Sequence, residues 1–435
     1  MIKKNDITEI KITALSSDGN GIGRDSSGIA VFVPYSAPGD VLSVRIVKLA
    51  KNYAFGIIDT IISPSPFRQA PDCGVFGKCG GCDFRHLDYA EELRQKALFV
   101  KDAFVRLGKF DISDVKIHGS EQTLGYRNKA QVPFENGVCG YFAPRSHRVV
   151  PCADCKLQTA EQNFIIAETA RLCGKFGDTV RNIYIRQGQK TREIMLCIVA
   201  KSDIRKFNLD DLLLFVKSQE HIKSLILNIN PDDTNVILGK KNITLWGSGF
   251  ISDEIGGVKV KLFPNTFYQI NTPQAEKLYS IAEGFAALTE NETALDLYCG
   301  IGALTIMLSR KAKKLYGAEI VPDAVKCAKE NAAKNGAGNI DFFLGDAGKT
   351  AELLADEKID VIVTDPPRKG CDEFTLGRIL KIYPKRIAMI SCNPATAARD
   401  CKTLCEGGYR LTAIEAVDMF PRTANVECAV LLIRE

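Results

Sequence analysis

The chain has 435 residues, of which 46% are hydrophobic and 25% are charged. At roughly 150 residues per domain, this length predicts about three domains with cores of their own. We expect neither secretion nor membrane insertion, because no cationic leader opens the chain and no apolar stretch reaches the ~20 residues that span a bilayer. The 57 Lys and Arg residues against 52 Asp and Glu residues leave a net charge of only +5, too mild to indicate a nucleic-acid partner.

The sequence contains 15 cysteines, an odd number in a long chain. A secreted disulfide scaffold would be short and dense in cysteine. We therefore predict a cytoplasmic protein that keeps its thiols reduced for metal binding or catalysis.

Residues 1–63 have the pattern of several short strands. β-Branched residues concentrate at 10–13, 29–33 and 41–47, and Gly and Pro residues separate these runs. Strands of this length with turn signals between them predict a small closed barrel. Prolines at 64, 66 and 71 mark a linker after it.

Residues 64–264 form a mixed α+β region. It contains a cysteine cluster, a predicted helix at 89–107, and predicted strands at 181–185, 193–199 and 224–230.

From residue 265 onward, short apolar runs alternate with amphipathic segments. The predicted strands are 293–298, 314–319, 340–345, 359–364, 386–391, 409–417 and 426–433. Helical segments separate the first five, which is typical of an α/β fold with a doubly wound, mainly parallel, Rossmann-like sheet. No helix joins the last two, so we predict that this end of the sheet is antiparallel.

The segment after the first of these strands is a candidate cofactor site, because open α/β sheets bind ligands beyond the carboxyl ends of their strands. Gly300 and Gly302 allow a sharp turn there, and Glu319 ends the next strand, where an acid typically binds ribose hydroxyls. Asp346 and Asp365 follow the third and fourth strands. The sixth position of the dinucleotide fingerprint is not glycine, so we favour S-adenosylmethionine, which has a ribose and an adenine but no phosphates, over a nicotinamide dinucleotide.

Cys392 follows the fifth strand, in residues 391–394, beside Asp365 on the fourth. The pKa of a half-exposed cysteine thiol is often lowered near the start of a helix. The alternative is that this cysteine is a small buried hydrophobic residue. Glu427 opens the last strand, and by itself it would be read as a solvated strand edge.

Cofactor, thiol and carboxylate together define one reaction. A thiolate that adds to C6 of uracil makes C5 nucleophilic enough to take a methyl group, and a base must then remove the C5 proton. We therefore predict Cys392 as the nucleophile and Glu427 as the base.

The sequence resembles the RNA uracil-C5-methyltransferases over essentially the whole chain. The motifs that carry this resemblance are residues 296–302, 365–368 and 391–394 and the segment around Glu427. Residues 16–23 and 33–40 are similar to a TRAM domain, an RNA-binding barrel of the OB type. This domain and the cysteine cluster together imply the branch of the family that acts on 23S ribosomal RNA, since the transfer-RNA enzymes generally lack both.

The resemblance also implies a cofactor pocket built from five side chains: Gln269, Tyr298, Glu319, Asp346 and Asp365. One departure concerns the base. The family usually has a histidine two residues before it, where this chain has Asn425.

The cysteine cluster has the spacing Cys73-x5-Cys79-x2-Cys82, and Cys152 and Cys155 lie downstream. Thiolate clusters favour zinc or iron–sulfur, and the two C-x2-C pairs could make a structural zinc site without Cys73. The resemblance implies instead a 4Fe-4S cluster on Cys73, Cys79, Cys82 and Cys155, with a structural or RNA-organising role.

Residues 126–148 contain a single acid, Glu135, among basic residues. Interleaved aromatic residues predict stacking with single-stranded RNA, against the alternative of an ordinary solvated face. The aromatic residues are Tyr126, Phe134, Tyr141 and Phe142. We expect the target base to be flipped out of its stack to reach the nucleophile.

These inferences predict three domains: a TRAM barrel at 1–63, a central RNA-binding domain with an iron–sulfur cluster at 64–264, and a catalytic domain at 265–435. The predicted function is S-adenosylmethionine-dependent methylation of uridine C5 in 23S ribosomal RNA by a monomer with no membrane partner. One alternative is uracil methylation in transfer RNA. Another is a non-catalytic, metal-stabilised RNA-binding protein, against which Asp365, Cys392 and Glu427 argue.

Overall fold

The first segment folds as a closed barrel. The structure, a computed structural model, describes residues 2–135, 137–232 and 234–435. The barrel strands are β1 (Ile7–Leu15), β2 (Gly21–Arg24), β3 (Ala30–Val33), β4 (Val41–Leu49) and β5 (Tyr53–Ser63). They close in the order β1–β2–β3–β5–β4 around a small apolar core that includes Ile10, Val31 and Leu42. Alternate residues of each strand point inward, which confirms the predicted barrel.

Helix α1 (Tyr89–Ala103) follows a loop that contains three cysteines. Asp88 caps it by accepting the backbone N–H of Glu91. The helix predicted at 89–107 is confirmed, and its last turn is a π-helix over Phe104–Gly108 ended by the left-handed backbone of Lys109. Strand β6 (Lys116–His118) comes next.

The central region contains a seven-stranded sheet in the order β13–β12–β11–β10–β7–β8–β9. Its strands are β7 (Lys129–Glu135), β8 (Val138–Phe142), β9 (Val149–Pro151), β10 (Val180–Gln187), β11 (Ile194–Ala200), β12 (Ile222–Ile229) and β13 (Lys241–Gly247). Helices α2 (Ala160–Cys173) and α3 (Asp210–Ser218) pack on it, with 3₁₀ turns at Gly174–Thr179 and Ile204–Lys206. The hairpin of β14 (Ile251–Ile255) and β15 (Val258–Leu262) leads to the last region.

The last region is an alternating α/β unit. Its helices are α4 (Thr272–Ala286), α5 (Ala303–Ser309), α6 (Pro322–Lys334), α7 (Ala347–Leu353), α8 (Glu373–Ile382) and α9 (Pro394–Glu406). Its strands are β16 (Thr293–Leu297), β17 (Lys314–Glu319), β18 (Ile340–Leu344), β19 (Val361–Thr364), β20 (Arg386–Ser391), β21 (Tyr409–Val417) and β22 (Glu427–Arg434).

These seven strands and β6 form an eight-stranded sheet in the order β18–β17–β16–β19–β20–β22–β21–β6. The first five run parallel, and β22 is antiparallel to both β20 and β21, as the sequence predicts. The edge strand β6 comes from the segment before residue 265 and pairs in parallel with β21, which sequence periodicity did not indicate. The strand order reverses between β16 and β19, so a ligand crevice is expected at their carboxyl ends.

Two apolar cores cover the two faces of this sheet. Helix α1 packs against α9, so the segment after the first three cysteines lies on the sheet. In the part of the chain that the structure describes, no helix has the length and apolar character needed to cross a membrane.

Candidate active site

A pocket opens at the carboxyl ends of β16 and β19, where the strand order reverses. The chain turns sharply after β16, with positive φ angles of 73° at Tyr298, 55° at Gly300 and 81° at Gly302. A Cβ atom on Gly302 would lie 3.2 Å from the Ala328 Cβ atom, so this close helix approach requires glycine. Side chains from α4, β16 and the turn after β19 line the pocket: Phe267, Tyr268, Tyr279, Asp296, Tyr298, Cys299, Ile301, Leu304 and Asp365.

Two further predicted cofactor residues lie on the adjoining strand ends. The Glu319 carboxylate accepts the Gly300 N–H at 3.1 Å and the Val321 N–H at 2.8 Å, so it braces the turn that forms the pocket. The Asp346 carboxylate caps α7 by accepting the N–H groups of Gly348 and Lys349 at 3.0 and 3.2 Å. The structure thus brings both acids to the same edge of the sheet, where each also has a structural role.

Gln269 is buried, with 5% of its surface exposed. The backbone carbonyl of Gln269 accepts a hydrogen bond from the Asn128 side-chain amide at 2.7 Å. The backbone N–H of Asn128 donates to the Ile270 carbonyl at 2.9 Å. The central region therefore holds this segment against the start of α4.

The acids of the pocket are poorly solvated. Burial raises the pKa of Asp296 to about 7, while a hydrogen bond from the Thr305 hydroxyl at 2.6 Å acts in the opposite direction. Burial also raises the pKa of Asp365 to about 6. Carboxyls in this state gain strongly from a nearby positive charge, because a cation favours their ionised form. The pocket therefore suits a cationic ligand such as a sulfonium.

Cys392 and Glu427 are brought together by strand register. Ser391 and Cys428 are partners on the antiparallel pair β20–β22, so Cys392 and Glu427 occupy the next facing positions. The Cys392 side chain is half-buried, and Glu427 is buried with 3% of its surface exposed. The alternative that Glu427 is a solvated strand edge is therefore wrong.

Both groups favour their neutral forms. Burial raises the pKa of the Cys392 thiol, and the neighbouring Glu427 carboxylate raises it further. This is opposite to the lowered pKa expected at a helix start, because desolvation and a like charge outweigh the helix. Burial, with a contribution from Asp365, raises the pKa of Glu427 to about 8.

Arg368 is a cation that opposes both shifts, although its role was not predicted from the sequence. It lowers the pKa values of Cys392 and Glu427, although burial dominates in each case. Its guanidinium donates to the Asn425 side-chain oxygen, and its carbonyl accepts the Asn393 amide at 3.1 Å. The signal in the sequence was a basic residue three positions after Asp365, in a segment already assigned to the site.

A second cavity, of about 550 Å³, opens over Cys392. The barrel, α1 with its π-helical turn, and the loops after β19 and β20 all contribute to its wall. The lining residues include Leu15, Ser16, Ser17, Phe99, Asp102, Arg106, Arg368, Cys392, Asn393 and Asn425. This size is sufficient for a nucleobase with part of its nucleotide, so we name it the base cavity.

Five cysteines line a third cavity, of about 190 Å³, which we name the cysteine cavity. They are Cys73, Cys79, Cys82, Cys152 and Cys155. Within residues 2–135, 137–232 and 234–435, no three His, Cys, Asp or Glu side chains form a group that could hold a metal ion. The structure thus gathers the predicted ligands without assembling a metal site, and the iron–sulfur and zinc alternatives both stay predictions.

The cysteine cavity has a cationic wall. The Arg85 Nε atom donates to the Cys82 sulfur at 3.3 Å, and the Gly81 N–H donates to the Cys79 sulfur at 3.3 Å. Arg85 Nη2 and Arg127 Nε are buried and have no hydrogen-bond partner among the described residues. Unpaired buried guanidinium nitrogens are costly, so this wall is arranged to face negative charge.

The loop that contains Cys73, Cys79 and Cys82, which we name the cysteine loop, adjoins the segment that leads to Glu427. The Asp83 carboxylate accepts the Ala424 N–H at 2.9 Å. The N–H groups of Asp83 and Phe84 both donate to the Arg422 carbonyl, at 2.9 and 3.1 Å. The segment immediately before Glu427 is thus held by residues next to Cys82.

The predicted RNA-stacking stretch is partly wrong. Tyr126 is only 1% exposed and donates its hydroxyl to the Pro421 carbonyl, and Phe134 is 5% exposed in the central core. Both rings are buried against other residues of the protein, so neither can stack on a base. Phe142 and the loop at 144–148 remain exposed.

The doubly wound sheet, its glycine turn and the acidic pocket define an S-adenosylmethionine-dependent methyltransferase. Residues 254–435 match the family model described as tRNA (uracil-5-)-methyltransferase, and residues 3–58 match the TRAM domain.

Relatives of similar length share most of the chain. A protein of Halalkalibacterium halodurans called an uncharacterized RNA methyltransferase is 39% identical over 99% of this chain and 98% of its own length. One of Clostridium tetani with the same description is 38% identical over 99% of this chain and 97% of its own length. A crystal structure of Pyrococcus abyssi tRNA (uracil-54, C5)-methyltransferase with S-adenosyl-L-homocysteine is similar over 98% of this chain and 99% of that one, with a TM-score of 0.79 and 26% identity.

The chain belongs to the RNA uracil-5-methyltransferase family. It is an RNA methyltransferase that uses S-adenosylmethionine and carries an N-terminal TRAM barrel.

Proposed function

We propose that this enzyme methylates C5 of a uridine in 23S ribosomal RNA, through a covalent bond between Cys392 and C6 of the base. The observation that carries the proposal is that Cys392 lines the base cavity while the register of β20 and β22 puts the buried Glu427 opposite it. The residues proposed to hold the cofactor are Gln269, in the loop before α4, and four residues at the neighbouring strand ends: Tyr298, Glu319, Asp346 and Asp365.

In the proposed mechanism the Cys392 thiolate forms a bond to C6, and the electron pair of the C5–C6 double bond moves onto C5 and O4. S-adenosylmethionine supplies the methyl group that C5 takes. The Glu427 carboxylate then removes the C5 proton, the double bond re-forms, and the bond between sulfur and C6 breaks. Arg368 favours the anionic forms of both groups by its positive charge.

RNA containing 5-fluorouridine tests this mechanism, because a fluorine at C5 cannot be removed as a proton. We expect the wild-type enzyme with S-adenosylmethionine to form a covalent complex that survives denaturing electrophoresis. Cys392→Ala should form none, whereas Glu427→Gln should form a complex even with ordinary uridine, since its adduct cannot resolve. Methyl transfer by Cys392→Ala at the wild-type rate would contradict the mechanism.

Transfer RNA is the second candidate substrate. It is favoured by the similarity, over nearly the whole chain, to the Pyrococcus abyssi tRNA (uracil-54, C5)-methyltransferase. Tritium release from transcripts labelled at uracil C5 compares the two RNAs directly. Release only from the ribosomal transcript supports the first candidate, and release only from the transfer-RNA transcript replaces it with the second.

We also propose that the cysteine cavity holds a 4Fe-4S cluster on Cys73, Cys79, Cys82 and Cys155. The cavity with its N–H to sulfur hydrogen bonds and cationic wall fits a thiolate-bound group with negative charge. Iron and acid-labile sulfide in anaerobically purified protein test it. A Cys155→Ser variant should lose iron, and Cys173→Ser, at a buried cysteine away from this cavity, should retain it. Zinc without iron would show the structural zinc alternative.

We propose a separate role for each of the three predicted domains. Residues 1–63 and 64–264 bind and orient the RNA, and residues 265–435 hold the cofactor and carry out the reaction. The RNA substrate and the 15 cysteines, none of which forms a disulfide, fit a cytoplasmic location.

A further inference from the structure

Three aromatic side chains form a cluster on the outside of the barrel. Phe32 on β3 lies 5.7 Å from Tyr53 and 5.6 Å from Phe55, both on β5, and the two β5 rings lie 5.6 Å apart, measured between ring centroids. Tyr53 is 41% exposed.

Strand alternation places this cluster on the outer face. Val31 and Val33 flank Phe32 and are fully buried in the barrel, as is Ala54 between Tyr53 and Phe55. The rings therefore are not core residues of the barrel, whose apolar interior is complete without them.

Two cations adjoin the same face. Lys48 on β4 is the register partner of Phe55, which is also the register partner of Phe32. Lys48, Phe55 and Phe32 thus form one row across three strands. From the central region, the Arg145 guanidinium lies 5.9 Å from the centre of the Phe55 ring.

The loop that carries Arg145 packs against the cysteine loop. Gly80 in the cysteine loop donates its N–H to the Phe142 carbonyl at 2.9 Å, and a Cβ atom on Gly80 would lie 3.2 Å from the Pro144 backbone. The cysteine loop therefore sets the position of Arg145 over the barrel.

Two of the segments that form this face contain no acidic residue. Residues 41–58 and 137–153, which supply Lys48, Tyr53, Phe55 and Arg145, contain no Asp or Glu. Aromatic rings with cations beside them are suited to single-stranded RNA, whose bases stack while its phosphates pair with positive charge. A second copy of the chain would bring like charges together, so self-association is disfavoured.

We propose that the outer face formed by Phe32, Tyr53, Phe55, Lys48 and Arg145 binds a single-stranded part of the substrate RNA, with a nucleobase stacked on the exposed ring of Tyr53. This proposal deepens the proposed function, because it assigns where RNA outside the target uridine is held. It also gives the cysteine loop a role in substrate binding through Arg145.

Binding of a fluorescein-labelled ten-nucleotide oligouridine to the full-length protein, without S-adenosylmethionine, tests the proposal by fluorescence anisotropy. We expect Tyr53→Leu to weaken binding about 5- to 100-fold, because leucine retains apolar surface but cannot stack, and Tyr53→Trp to bind as the wild type does. Phe164→Leu is the matched control, since Phe164 is an aromatic residue, 55% exposed, on α2.

Salt dependence separates stacking from charge. Arg145→Gln should reduce the slope of log Kd against log salt concentration by about 0.7, as expected for one phosphate contact on a single strand, while Tyr53→Leu leaves that slope unchanged. Circular dichroism of each variant checks that the barrel stays folded.

Equal affinities for Tyr53→Leu, Phe164→Leu and the wild type would overturn the proposal. So would a change in sedimentation coefficient for Tyr53→Leu with unchanged RNA affinity, which would identify the face as a contact between copies. Because the binding measurement needs neither cofactor nor turnover, failure of the proposed methylation would show separately, as absence of 5-methyluridine in RNA that still binds.

Discussion

Cys392 and Glu427 occupy facing positions at the end of the antiparallel pair β20–β22, one step beyond the partners Ser391 and Cys428. A thiol and a carboxyl are thus held side by side by backbone hydrogen bonding, in a site where burial disfavours the charge of each. Both groups are therefore largely protonated near neutral pH in the free enzyme, whereas the proposed reaction needs each of them as an anion.

The first prediction concerns the pH dependence of turnover. The pKa of Glu427 is raised to about 8, and the Cys392 pKa is also raised, so both active anions are gained as pH increases. We expect the single-turnover rate of methyl transfer at saturating RNA to rise between pH 6 and pH 9. A rate that is constant over this range would contradict the assignment of these groups.

The second prediction concerns stability. The unfolded chain releases the Glu427 proton near its ordinary pKa of 4.5, whereas the folded protein retains it up to about 8. Stability is therefore lost as pH rises through this window, by roughly 4 kcal/mol at pH 8. Glu427→Gln, which mimics the protonated form, should have a higher melting temperature than the wild type at pH 8 and the same one at pH 4.5. An equal difference at both pH values would show that the effect is not ionisation.

The third prediction concerns Arg368 as a positioning residue. Its positive charge lowers the pKa values of Cys392 and Glu427, and it donates a hydrogen bond to Asn425. We expect Arg368→Gln to slow the alkylation of Cys392 by iodoacetamide at pH 8 and to shift the pH–rate profile to higher pH. Arg368→Lys should restore much of the alkylation rate. Peptide mapping by mass spectrometry reports Cys392 apart from the other cysteines, and Asn425→Ala tests the hydrogen bond without removing the charge.

The fourth prediction concerns the contact between the cysteine loop and residues 422–424, which precede Glu427. Asp83→Ala removes the acceptor of the Ala424 N–H, which leaves a buried donor unpaired at a cost of about 1–3 kcal/mol. We expect the turnover number to fall about tenfold or more while RNA affinity changes little, because Glu427 is three residues away. Asp83→Asn retains an acceptor oxygen and should recover most of the rate. A loss confined to RNA affinity would contradict this role.

The fifth prediction concerns a buried ion cluster that ties α1 to the segment before the base. Lys96 is fully buried and donates to Glu92 at 2.7 Å and to Asp418 at 2.6 Å. Lys96→Met removes the cation that both buried carboxylates share and leaves Glu92 only Arg422, at 3.6 Å, so we expect a loss of about 3–5 kcal/mol in the free energy of unfolding. The triple variant with Glu92→Gln and Asp418→Asn should recover part of that loss in a urea titration. No recovery would show that packing, not charge, sets the cost.

Several features followed from local sequence patterns. The closed barrel and the α/β sheet were predicted because strand and helix periodicities are written in neighbouring residues. The glycine turn after β16 was predicted because only a few residue types allow positive φ angles. Cys392 and the acids at the strand ends were predicted to lie together because parallel strands bring their carboxyl ends to one edge of the sheet.

Features that depend on distant contacts were decided by the tertiary structure. Strand β6 joins a sheet whose other strands lie far along the chain, and Tyr126 is buried by its contact with Pro421. Neither contact leaves a periodic signal in either segment, so the edge strand was missed and the stacking surface was misplaced.

What the sequence by itself determined is the chemistry available to this protein: a thiol, a carboxylate, a cofactor turn and a group of cysteines. What only the tertiary structure decided is the charge state in which that chemistry is held. The Cys392 pKa is raised where the local helix start predicted a lowered one, and Glu427 is buried where its position predicted a solvated edge. The physical reason is desolvation, which depends on every chain segment packed around a group and not on its neighbours in sequence.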